Sequence, residues 1–247
     1  MKIVVIGGTG LIGSQVVTTL TEQGHDAIAA SPQTGVNALT GEGLDSTLAG
    51  ADVVVDVSNS PSFADDDVLD FFVTSTGNLL EAERRSGVKH HVALSVVGAG
   101  DLPDSGYLRA KAAQEELIRS SDIPHSIVQA TQFFEFTRAI ADSSTVDGAL
   151  HLAPVEYQPI ASADVAVAIA GKAIGSPLNA TVEIAGPAKL RMDQFIPAVL
   201  AQDDDPRPVI VDEHATYFGT ELTDSSLVPG PGAELGEITY EKWSASV

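Results

Sequence analysis

Met1–Gly13 reads MKIVVIGGTGLIG and runs on as SQVVTTLTEQG to Gly24. Lys2–Ile6 is a short apolar, β-branched run of the kind that forms a strand covered on both faces. Three glycines follow at spacing three, Gly7, Gly10 and Gly13. Leu11, Ile12, Val16, Val17 and Leu20 then recur at helical spacing until Gly24 ends the pattern. Strand, glycine turn and helix arrive in the order a dinucleotide requires. One glycine makes the tight turn, one lets backbone approach a pyrophosphate, and one lets the helix pack close to the strand. The free N–H groups at the positive helix end then face the phosphates. The residues expected to contact the cofactor here are Gly7, Thr9, Gly10, Leu11, Ile12 and Gly13. A phosphate loop of the NTPase type shares the spacing from Gly8 to Gly13, but Ser14 stands where that loop needs a lysine.

The 247 residues, 44% hydrophobic, suffice for a sizeable core carrying a smaller appended region. No cysteine is present, which excludes disulfides, thiolate nucleophiles and zinc–sulfur sites. The apolar start is only about five residues long, too short for a signal peptide or a membrane span, so the chain is read as cytoplasmic. With 34 acidic against 13 basic residues and a formal charge of -21, nucleic acid and anionic membranes are expected to be repelled. The expected partner is a small-molecule substrate, bound by a monomer or homodimer.

His25–Ala30 reads as the second strand. Its exit, SPQTGVN, offers Ser31, Gln33 and Thr34 for hydrogen bonding and no carboxylate that would repel a 2'-phosphate, which tilts cofactor choice toward NADP(H), with NAD(H) possible. A compressed strand is expected near Gly35–Leu39 and a short helix near Gly43–Leu48. Ala51–Ser58 is a buried strand ending in Ser58, Asn59 and Ser60, at the sheet edge where ligands bind in open α/β folds. Asp65, Asp66 and Asp67 read as a helix start. His90 and His91, adjacent on the next strand, point to opposite faces and cannot readily chelate one metal, and no metal is assigned.

Ser95 lies near the end of that strand, and Tyr107 and Lys111 stand four apart at the start of the following helix, on one face. Hydride transfer to a carbonyl leaves an alkoxide that needs a proton and hydrogen-bond donors. Tyr107 can give the proton, an ammonium at Lys111 would lower its pKa and could bond the nicotinamide ribose, and Ser95 can hold the substrate oxygen.

IGGTGLIG at Ile6–Gly13, GADVVVDVS at Gly50–Ser58, VKHHVALSVVG at Val88–Gly98 and YLRAKAAQEELIRSSDIPHSIVQATQFFEF at Tyr107–Phe136 together resemble an atypical short-chain dehydrogenase/reductase of the NmrA-like, NAD(P)H-binding group. The resemblance implies an α/β fold, a Rossmann-type doubly wound parallel sheet over residues 1–136 with a small C-terminal substrate region over 137–247. It implies reduction of a carbonyl, quinone or similar acceptor. It also places Thr131, Gln132 and Phe133 past the nicotinamide. Two alternatives stay open: a redox-sensing protein of the same group that binds NADP(H) without turnover, and a nucleotide-sugar epimerase. From Ser162 a serine-capped helix is expected, then a strand at Thr181–Ala185 and a helix at Met192–Leu200 interrupted or bent at Pro197.

Overall fold

The computed structural model describes residues 1–246. Its first half alternates strand and helix: β1 (Lys2–Ile6), α1 (Leu11–Glu22), β2 (Asp26–Ala30), α2 (Leu44–Leu48), β3 (Val53–Asp56), α3 (Asp65–Ser86), β4 (His90–Val96), α4 (Gly106–Arg119) and β5 (His125–Ala130). The second half is more broken: α5 (Thr137–Ser143), β6 (Thr145–Val146), β7 (Ala149–Leu152), β8 (Glu156–Tyr157), α6 (Ser162–Ile174), β9 (Ala180–Ala185), β10 (Leu190–Arg191) and α7 (Met192–Leu200). β11 (Val209–Val211), β12 (Thr216–Tyr217), β13 (Thr220–Glu221), β14 (Glu234–Leu235) and α8 (Tyr240–Ser244) close it.

Seven strands form one parallel sheet in the order β14-β9-β5-β4-β3-β1-β2. The chain leaves β1 toward β2 on one side and returns to β3 on the other, so strand order reverses between β1 and β3. A crevice opens beyond the carboxyl ends of strands at such a point. Alternation along each strand sorts the core into two layers. Ile3, Val5, Val55 and Val92 pack under α1 and α6 with Val16, Leu20, Val165 and Ile169, while Val4, Ile6 and Val54 face Leu79 and Ala82 of α3. Both faces of the sheet are therefore sealed, as the unbroken apolar runs require.

The Rossmann layers draw on residues well past Phe136, since α6 and β9 complete the sheet and one helical layer. The smaller C-terminal core gathers Phe134, Leu150, Leu152, Tyr157, Phe195, Ile196 and Tyr217, with Tyr240 and Trp243 against it.

Three local expectations are corrected. No strand forms at Gly35–Leu39: Gly35, Gly41 and Gly43 all turn with positive φ, and only a single bridge joins Asn37 to Glu42. Val36 and Ala38 instead drop into the core as loop residues. Ser162 is the first residue of α6 rather than its cap, which is Ala161, because the serine hydroxyl is spent on Glu135 at 2.6 Å. Finally, α7 is not interrupted at Pro197, which stands inside one continuous helix.

Candidate cofactor and reaction site

The glycine loop lies where strand order reverses. Gly7 holds φ +77° and its amide donates to Ala30 O at 2.9 Å, tying the loop to the end of β2. A Cβ at Gly7 would sit 2.9 Å from Ser58 N and Cα, so the loop lies directly against the exit of β3. Gly10 caps α1 with no side chain in the way. A Cβ on Gly13 would lie 2.1 Å from Gly7 O, so the first turn of α1 is drawn down onto the loop. Thr9, Gly10 and Leu11 are exposed along the rim. Ile12 is buried in the core below, leaving only its backbone for a ligand.

At the exit of β2, Thr34 spends its hydroxyl on the turn itself, accepting from Ser31 N at 2.9 Å and lying 3.0 Å from Ser31 O. Gln33 is exposed, and Ser31 Oγ is buried without a partner. At the exit of β3, Ser58 donates to Asp56 Oδ1 from its amide at 3.0 Å and from its hydroxyl at 2.6 Å. Asn59 is exposed, whereas Ser60 is buried and its hydroxyl accepts from Ser62 N at 3.2 Å. At the exit of β5, Thr131 donates its hydroxyl to Gln158 O at 2.6 Å, a structural bond. Gln132 beside it is buried with both amide atoms unpartnered, and Phe133 stacks on Phe136 with centroids 5.5 Å apart.

Ser95 sits on the same face of β4 as His91 and Ala93, toward α4, and its buried hydroxyl has no partner. Tyr107 opens α4, capped by Ser105, whose hydroxyl accepts from Leu108 N. Its ring is hemmed by Phe63 at 5.5 Å and by Phe72 and Phe218 at 6.2 Å. Phe63 comes from the loop before α3 and Phe218 from the hairpin turn between β12 and β13, where it holds φ +46°. Lys111 lies one turn along and is 3% exposed. Its ammonium donates to Leu94 O at 2.9 Å and to Gln114 Oε1, and stands 4.3 Å from the centre of the Phe72 ring. Gln114 Nε2 passes the contact on to Asp56 Oδ2 at 3.0 Å.

The expected depression of the tyrosine by Lys111 is not found. Burial pushes the Tyr107 phenol up to about 12. Burial also pulls Lys111 down to about 8, with Asp56 and Glu115 working upward. The two side chains share a helix face but no hydrogen bond: the lysine turns to Leu94 O and Gln114, and the phenol ring joins an aromatic cluster. The tyrosine is therefore protonated and a hydrogen-bond donor at neutral pH, but a weaker acid than a free phenol.

Nearby, burial raises Glu83, and His91 is raised on balance. Desolvation pushes the imidazole down, but the Glu83 carboxylate at 2.8 Å, helped by Asp56, more than restores it. A separate cleft of about 620 Å³ runs along the outer side of α4 between Val97–Leu102 and Thr223–Gly230, with Glu115, Gln129 and Glu183 in its wall. Ser95, Tyr107 and Lys111 do not line it. Among the described residues no cluster of three metal-ligating side chains occurs, and no helix is long and apolar enough to cross a membrane.

Sequence alone does not single out Asp56, Gln114 or Phe63. The first two leave a trace there: Asp56 is the polar end of an otherwise apolar strand, and Gln114 stands three residues after Lys111. Phe63 leaves none.

A family model described as NAD(P)H-binding matches residues 7–172, spanning the glycine loop, the three-residue set and α6. The chain belongs to this NAD(P)H-binding family. Membership accords with the NmrA-like, short-chain dehydrogenase/reductase type that the motifs resemble. Over 149 residues the chain is 24% identical to the photosystem II assembly factor Ycf39 of a Synechocystis species, covering 55% of this chain and 46% of that protein. Over 148 residues it is 28% identical to the (4-alkanoyl-5-oxo-2,5-dihydrofuran-3-yl)methyl phosphate reductase of Streptomyces griseus, covering 55% and 49%. The matched stretches span about half the length of these curated relatives. Among solved structures, a short-chain dehydrogenase/reductase superfamily protein of Agrobacterium tumefaciens with bound NAD superposes with a TM-score of 0.72 at 19% identity, covering 100% of this chain and 95% of that one. The triphenylmethane reductase of a Citrobacter species, complexed with NADP(H), gives 0.64 at 17%, covering 86% and 79%. At such identities the likeness is one of fold. Structural neighbours hold either NAD or NADP(H).

Proposed function

We propose that the protein is an NAD(P)H-dependent reductase that delivers hydride to a carbonyl, quinone or similar small acceptor. One observation carries this: unspent hydrogen-bonding groups, Ser95 Oγ and the Gln132 amide, are buried at adjacent strand ends, with the protonated Tyr107 phenol on the neighbouring helix. Buried polar groups left unpaired are costly, which argues for a ligand that completes them. In this reading the Gly7–Gly13 loop and the start of α1 hold the pyrophosphate, and Ser58 and Asn59 border the cofactor at the exit of β3. Thr131, Gln132 and Phe133 flank the nicotinamide. When bound, the cofactor supplies the hydride. Ser95 would then fix the acceptor oxygen and Tyr107 would give it a proton. NADP(H) is preferred over NAD(H), because the exit of β2 presents Ser31, Gln33 and Thr34 and no carboxylate to repel a 2'-phosphate.

Purified protein titrated with NADPH and with NADH, then followed by cofactor absorbance against a panel of aldehydes, ketones and quinones, tests the reading. Tighter binding of NADPH and its consumption with at least one acceptor are expected. Tight binding with no consumption across the panel would instead favour the sensor alternative. That alternative has its own support in Lys111, whose donors are turned inward to Leu94 O and Gln114.

A further inference from the structure

From the buried line of contacts beneath this site, we infer that Asp56 and Gln114 are positioning residues that hold the Lys111 ammonium in register with the glycine loop. The inference rests on the proposed reaction, at whose site Lys111 stands one helical turn from Tyr107 and against the backbone beside Ser95. Lys111, Gln114 and Asp56 are 3%, 1% and 2% exposed, so water cannot substitute for any link. Lysine only donates and a carboxylate only accepts, so the glutamine between them has one permitted orientation: carbonyl toward Lys111, amide toward Asp56. On its other oxygen, Asp56 receives the amide and hydroxyl of Ser58. The backbone of Ser58 in turn abuts Gly7 with no room for a methyl group. Lysine, glutamine, aspartate, serine and glycine loop are thus joined without a gap.

The interposed amide has a positional consequence. In direct contact with Asp56 the ammonium would be drawn back under the end of β3. Held one side chain away, it stays against Leu94 O, the residue before Ser95. Asp56 still neutralises it at a distance. The other carboxylate facing it, Glu115, is committed to Arg119 and to Gln129. Behind Asp56 stand Glu83 and His91, bonded to each other. Asp56 is thus the acid that Gln114 couples to the lysine.

The test is a titration of Lys111 itself, by two-dimensional NMR of protein labelled at lysine Cε, with the Lys111 signal assigned by its loss in Lys111→Arg. The parent midpoint is expected at about 8. Asp56→Asn should lower it by about one unit, a tenfold weaker hold on the proton. Gln114→Glu should raise it, and Gln114→Leu should lower it. Should Asp56→Asn fail to fold, the two Gln114 variants decide alone. Midpoints unchanged in Asp56→Asn and Gln114→Glu, or in both Gln114 variants, would overturn the inference. In parallel, the alkaline limb of kcat should move with each midpoint, Gln114→Glu retaining turnover that Gln114→Leu loses. The NMR midpoints need neither cofactor nor acceptor, so absence of NADPH consumption would sink the proposed activity while leaving this coupling to be judged by its own result.

Discussion

One methyl group added at Gly13 should disable the cofactor loop. In Gly13→Ala the new Cβ would lie 2.1 Å from Gly7 O and 2.7 Å from Gly7 C and Gly8 Cα, all backbone atoms that no rotamer change can move. Ordinary contact begins at 3.4 Å, so α1 must rise from the loop by 1.3 Å (from 2.1 to 3.4 Å). Overpacking of this kind costs about 1–3 kcal/mol. Alanine's helix propensity returns about 1 kcal/mol. The net loss of ~0–2 kcal/mol lowers Tm by up to about 8 °C in a chain of this size. Affinity should suffer more, because the raised amides no longer meet a pyrophosphate. One hydrogen bond to a charged group, about 1.5–3 kcal/mol, is tenfold or more in Kd. Gly77, in the middle of α3, is the control: a Cβ there meets nothing within 4 Å. Gly77→Ala should therefore stabilise by about 0.5–1 kcal/mol and bind cofactor as the parent does. Thermal melts and NADPH titrations of the three proteins are the assay. A Gly13→Ala protein that binds NADPH with the parent Kd and melts no lower would refute the argument from close approach.

Tyr107→Phe should keep cofactor affinity and lose about 10²–10⁴-fold in turnover, measured by steady-state NADPH oxidation. Buried His90 is pulled down from 6.5 to about 4 by desolvation, then by His91 and His125. The folded state therefore binds fewer protons than the unfolded state between those values. Its contribution, at most ~3 kcal/mol, is present above pH 6.5 and lost as pH falls toward 4. Urea melts across that window should show a shallower acid loss in His90→Gln than in the parent. Glu135 accepts from Ser162 and, at 2.9 Å, from the indole of Trp243, the single tryptophan. Glu135→Ala should cost about 1–3 kcal/mol and shift tryptophan emission to the red, which denaturant melts followed by fluorescence would detect.

Wherever chemistry depends on backbone and spacing, the sequence was legible. Gly7 and Gly13 announce a loop that no side chain could enter, and both prove to be in backbone contact. Ser95, Tyr107 and Lys111 could be assigned to one side of the sheet from strand alternation and helical periodicity. Where chemistry depends on the direction of a long side chain, spacing was silent. A four-residue interval places Lys111 beneath Tyr107, yet its four rotatable carbons carry the ammonium inward to Leu94 O and Gln114.

By itself, then, the sequence determined the parallel sheet, the glycine cradle at its reversal of strand order, and the nucleotide class that such a cradle accepts. All of these follow from local periodicity and from the steric permissiveness of glycine. Only the tertiary structure decided which acid answers Lys111 and which rings close on Tyr107. Asp56 and Gln114 are 58 residues apart, and Phe63 and Phe218, 155 residues apart, stack on one another. Their meeting is set by burial and by the pairing of polar groups that water cannot reach, and no local pattern records it.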